Sequence, residues 1–182
     1  MWLNTTKLLI SLCSESPAFE ACWRDVRPRL KSPGIFGLFD DDEAIGVVCV
    51  RPDHFVISLS RELVDRVGAF AFAHELIHVA QYREGVIFFV KRSEQVPPRL
   101  AVALNSLVTD PGVTRELNRY SFPQQFIFDP KYLTADLLDQ AARGDQPQTP
   151  ADALLRAVDA LTMVGNFHAA GGAEFDVLPL LL

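Results

Sequence analysis

Cysteine is scarce: Cys13, Cys22 and Cys49 are the three in 182 residues, an odd set without C-x-x-C spacing. They cannot form a disulfide framework and read as small buried hydrophobes in a reducing compartment. Positive charge is also in short supply, with 17 Lys and Arg against 23 Asp and Glu and a net charge of −6. No basic cluster offsets that balance, which argues against a nucleic-acid or anionic-membrane partner. Long apolar runs are missing too. GVIFFV at 85–90 is far too short to span a bilayer. LLISLC near the N-terminus falls below signal-peptide length and has no small-residue cleavage site behind it. No repeat or low-complexity tract interrupts the chain, and the expected location is cytoplasmic.

What is present is an ordinary globular composition, 49% hydrophobic and 22% charged, in a length that suits one domain. Ser16 and Pro17 open a helix with Phe19, Cys22, Trp23 and Val26 on one stripe, ended by Arg27 and Pro28. GIFGLF and AIGVVCV are split by the acidic turn DDDE, a hairpin signal, and HFVISLS alternates as a third strand. A small, mostly antiparallel sheet follows from these three. Ser60 can cap the next helix, which bends near Gly68 and ends at Gly85 in the C′ position. Its apolar residues surround the axis, which makes it a central buried helix. PPRLAVALNSLV predicts a second buried helix, with Asp110-Pro111 kinking it or capping a new segment. Residues 121–150 are irregular and proline-rich, and ADALLRAVDALTMVGNF is a late amphipathic helix. The fold class is α+β.

Into the central helix the sequence sets AFAHELIHVAQYREG, residues 71–85. His74 and His78 are four apart, so their rings stack on one helical face and can share one Zn²⁺. Glu75 is turned from His74 by about 100° and lies beside such a metal as a base for its water. The bland alternative is a pair of core histidines satisfied by hydrogen bonds. Burying two imidazoles and a carboxylate without partners would cost on the order of 1–3 kcal/mol per group, and a metal removes that cost.

From PDHFVISLSREL through HELIHVAQY, the chain resembles the core of the zincin metallopeptidases, in which a substrate-binding edge strand precedes the HExxH helix. The likeness covers roughly residues 45–120, with HELIH its specific part. It implies a zincin-like domain over 1–182, with a core at about 34–120 and a C-terminal helical extension at about 121–182. It also implies Zn²⁺ as cofactor, His74 and His78 as ligands, Glu75 as general base and a peptide or protein as substrate.

A catalytic zinc takes a third protein ligand and keeps one position for water. Metzincin spacing would put that ligand at Glu84, but Gln81 stands where those enzymes place a glycine; the alternative for Glu84 is a solvated carboxylate at the helix end. NSLVTDP, residues 105–111, is similar to the gluzincin N-E-x-x-S-D pattern, with Ser106 in place of the glutamate. Asp110 is then the third ligand, the partner of a ligand histidine, or an N-cap ahead of Pro111. Glu94 is the fallback. Tyr82, Tyr120 and His168 are candidate oxyanion stabilisers, each with an ordinary packing or surface role as its alternative, and His54 reads as a strand-face residue. The expected function is a gluzincin-like zinc metallopeptidase. Two alternatives stand beside it: a weak or inactive zincin-fold module that binds or senses a partner, and a metal-free structural domain.

Overall fold

The computed structural model describes residues 1–39, 46–86, 98–122 and 149–169. It is α+β, with helices α1 (Thr5–Glu15) and α2 (Pro17–Leu30) followed by strands β1 (Gly34–Phe39), β2 (Gly46–Val50) and β3 (Phe55–Ser60). Helices α3 (Arg61–Arg83), α4 (Pro98–Leu117) and α5 (Pro150–Ala169) complete the order. The chain divides into two compact units. One comprises Met1–Ile87 with Arg119–Phe122, the other Phe88–Asn118 with Pro123–Leu182. Among the described residues, no helix is long and apolar enough to cross a membrane. The DDDE turn, most of GVIFFVKRSEQ with Glu94, most of 121–150 and the tail from residue 170 lie outside the described residues.

In the first unit, Asn4 caps α1 by accepting from Lys7 N–H at 3.0 Å, and Ser16 caps α2 by accepting from Phe19 N–H at 3.2 Å. Helix α2 does not stop at Arg27-Pro28 as the sequence suggested. It runs on to Leu30 and closes on Lys31 in the left-handed region at φ 58°. Burial of Leu30 extends the Phe19–Cys22–Val26 stripe by a further turn, and packing outweighs the proline's local preference.

The sheet corrects a larger expectation. Its order is β1-β3-β2, with β1 parallel to β3 and β2 antiparallel to it, so it is mixed and not mostly antiparallel. The strands flanking DDDE are not partners. The tight link is the one after β2, where Arg51 N–H donates to the His54 carbonyl at 2.8 Å. Strand β3 takes the centre because Phe55, Ile57 and Leu59 are fully buried, leaving β1 and β2 at the edges. Residues 1–3 then cover the free edge of β1: Leu3 N–H donates to Phe36 O and Leu38 N–H to Met1 O, each at 2.9 Å. Glycine is needed at two positions here. A Cβ at Gly34 would sit 2.4 Å from the Phe55 ring, and one at Gly37 would sit 3.0 Å from Trp2.

The core joins sheet and helices through edge-to-face aromatics, Phe36 with Phe55 at 6.0 Å and with Phe72 at 5.7 Å between centroids. Strand β3 passes into α3 without a loop, so the register of the sheet sets the height of every α3 side chain above it. The bend expected near Gly68 falls at Val67, whose φ of −144° and ψ of 28° are non-helical.

In the second unit, α4 packs along α5 around Leu100, Ala103 and Val158. The second buried helix is buried on one face only: Val102 and Val108 are exposed. Helix α4 runs through Pro111, so of the two expectations there the cap of a new segment is the one that fails. Opposite Pro111 stands Gly165, where a Cβ would meet the proline ring at 3.0 Å. Beside it the Thr114 hydroxyl donates to Asn166 Oδ1 at 3.1 Å, both residues buried.

Candidate metal centre

Helix α3 places His74 and His78 one turn apart with their Nε2 atoms 3.0 Å from each other. The rings meet edge to face at 4.7 Å between centroids, and Phe70 packs 6.3 Å from the His74 ring. Two imidazole nitrogens on one tetrahedral zinc, each at about 2.0–2.1 Å, stand about 3.3 Å apart. The pair is therefore already convergent, and a few tenths of an ångström separate it from ligand spacing. Both histidines and Glu75 are half-buried, while Ala73, Leu76, Ile77, Val79 and Ala80 are wholly buried. The oily neighbours are the buried faces of the helix, and the three polar residues share what remains.

The far end of this helix is anchored. Gly85 at φ 90° donates to Tyr82 O at 3.1 Å and Val86 N–H to Gln81 O at 3.0 Å, a Schellman closure that matches the C′ glycine expected. The Arg83 guanidinium donates to Ser32 Oγ at 2.8 Å and also reaches the carbonyls of Arg51 and His54. Arg29 grips Glu84 through two bonds, of 2.7 and 3.0 Å. That guanidinium holds the Glu84 carboxyl below the usual carboxylate range, Lys31 adding a smaller pull. Glu84 is thus a carboxylate at the helix end, as its alternative reading had it, but ion-paired and not simply solvated. Arg83 and Arg29 escaped the sequence reading because their partners lie 29–55 residues away.

Asp110 belongs to the second unit. It lies half-buried inside α4, where Thr109 Oγ1 approaches its Oδ1 at 3.4 Å while bonding the Asn105 carbonyl at 2.9 Å. An N-cap needs non-helical backbone ahead of a new helix. The unbroken helix removes that reading. By donor type, His74, His78 and Asp110 are a set that could hold a metal ion.

The other candidates are placed as follows. Tyr82 is exposed on α3, Tyr120 is buried in the 3₁₀ turn Asn118–Tyr120, and His168 is exposed on α5. His54 precedes β3 instead of lying on its face, and its Nδ1 meets Asp53 Oδ1 at 2.9 Å. Bonds from its own backbone and from His54 lower the Asp53 carboxyl. Ser106 is half-buried within α4. A scan of protein-family models matches none to this chain, and searches of curated proteins and of solved structures return no match.

Proposed function

We propose that the chain is a zinc-dependent hydrolase of peptide bonds. The observation that carries this reading is the 3.0 Å convergence of His74 and His78 Nε2 on a buried, anchored helix, with Glu75 the next residue along. In this reading Asp110 joins them as third ligand. A two-histidine, one-carboxylate set is a usual catalytic zinc environment and leaves a position for water. Zinc bound there would polarise the scissile carbonyl and bring the pKa of a water close to about 7. Glu75 accepts the proton of the attacking water and returns it to the leaving amine. Asp110, held through Thr109, supplies the negative charge that offsets the cation.

Ser106, standing where a gluzincin carries its glutamate, supports a second reading in which the site binds zinc and a protein partner without turnover. One experiment separates the two. Metal analysis of the purified protein is expected to give stoichiometric zinc, lost in His74→Ala. Glu75→Gln is expected to keep zinc and lose hydrolysis of a peptide library by about 10²–10⁴-fold. Full activity in Glu75→Gln would overturn the mechanism. Zinc without hydrolysis in the wild type would select the binding module.

A further inference from the structure

The sequence holds no basic cluster, yet the fold assembles one. Where α3 ends, Arg29 and Lys31 from the end of α2, Arg51 from the β2–β3 turn and Arg83 of α3 itself meet in one network. Lys31 Nζ donates to the Arg83 carbonyl at 3.4 Å. The Arg83 guanidinium in turn donates to Ser32 Oγ and to the carbonyls of Arg51 and His54. In a chain of net charge −6, these cations drawn from three segments make a local reversal of sign.

Their charges are unevenly answered. Arg29 takes Glu84 side-on, at 2.7 and 3.0 Å, and Asp53 is taken by His54. Arg83 has no such counter-charge. Every acceptor that it meets among the described residues is a neutral oxygen, and its Nε is buried without an acceptor. Lys31 and Arg51 are exposed, and beyond the pull of Lys31 on Glu84 neither is paired with a carboxylate among the described residues. A guanidinium withdrawn from water without a counter-charge is costly. The C-terminal dipole of α3 offsets only about half an elementary charge. Its last carbonyls already accept from Gly85, Val86 and Lys31. Positive charge is left in excess.

The chain also shows which anion suits the cluster, because the carboxylate of Glu84 matches the planar fork of Arg29 through two bonds. An extended polyanion, such as a nucleic acid or an anionic bilayer, would meet the acidic remainder of the surface and be repelled. A short acidic segment touches this face alone. We infer that the C-terminal end of α3 is a docking surface for an acidic segment of a protein partner, whose Asp and Glu carboxylates pair with Lys31 and Arg51 and offset the charge of Arg83. The inference holds whether or not His74 and His78 bind a metal.

Fluorescence anisotropy of a labelled Glu-rich peptide, titrated with the full chain at low salt, tests it. Binding is expected, weakening as salt is added, and absent when Gln replaces every Glu of the peptide. Lys31→Glu with Arg51→Glu is expected to weaken binding by about tenfold, as two exposed ion pairs give way to repulsion. Arg24→Glu with Arg27→Glu makes the same change in net charge on α2 residues that line a cleft with Cys13 and Trp23, and it is expected to leave affinity at the wild-type level. If the reversal lowers the urea midpoint, Lys31→Gln with Arg51→Gln removes the charges without adding new ones, with an expected loss of about threefold. Equal losses in the two Glu pairs overturn the site, because net charge then accounts for the effect. A single-stranded oligonucleotide of equal charge that binds as tightly as the peptide overturns it too, as does a wild type that does not bind the peptide.

Discussion

Helices α3 and α4 both carry polar side chains through oily sequence, and they are stabilised by different means. Helix α3 sits against a sheet and a second helix, with Phe72 wholly buried beside Phe36 and with charged ties at its C-terminal end. Helix α4 has one partner among the described elements of its unit, α5, and keeps Val102 and Val108 exposed. Its distinguishing features are a proline in mid-helix and a buried hydroxyl–amide bond. A metal site needs ligands held to within fractions of an ångström, so the metal proposed for His74 and His78 would sit on the element with more independent restraints.

The sharpest way to break that contrast is to hollow out the base of α3. Phe72 is fully buried and meets Phe36 edge to face at 5.7 Å. Phe72→Ala is expected to cost about 3–5 kcal/mol, read as a shift of the urea midpoint at unchanged slope. A loss under about 1 kcal/mol, the level of a volume-conserving core swap, would mean that the aromatic cluster is not what fixes α3.

The corresponding test in the second unit is polar. Thr114→Val leaves the Asn166 amide buried without its donor, at an expected cost of about 1–3 kcal/mol. Adding Asn166→Leu removes the orphaned group, and the double variant is expected to recover part of the loss. Simple additivity of the two single changes in the denaturation cycle would show that the bond contributes nothing to α4 against α5.

The same two helices explain what could be read from the chain. The helical placement of HELIH and the Gly85 stop were legible because both depend on spacings of five residues or fewer, which helical periodicity fixes by itself. The sheet was misjudged because strand order is a pairing between segments distant in the chain. The DDDE turn marks a reversal but does not name the neighbour, and only the full burial of Phe55, Ile57 and Leu59 shows why β3 takes the centre. Pro111 left two expectations open for a related reason. A proline in a helix removes one N–H and crowds the turn before it, so a cap or kink was the local expectation. The helix continues, and Gly165, 54 residues onward, packs closely on the ring, where a Cβ would meet it at 3.0 Å. Asp110 was thus singled out on sequence, but whether it kinked one helix or capped the next could not be read locally.

The smallest effect belongs to the tie at the end of α3. Because Arg29 depresses the Glu84 carboxyl below its ordinary value, the native state binds that proton less readily than the unfolded chain does. The pair's contribution is therefore complete above the unfolded-state pKa and is lost as pH falls through that value toward the lowered native one. The Glu84 side chain is 43% exposed, so screening limits the whole effect to about 0.2–1 kcal/mol despite the two-bond grip. Glu84→Gln is expected to lose that amount at pH 7, to converge on the wild type as pH falls through the lowered native pKa, and to differ less at 1 M salt than at 0.1 M, where the screening length shortens to about 3 Å from about 10 Å. A difference between the two proteins that does not shrink as pH falls would place the role of Glu84 in packing and not in its charge.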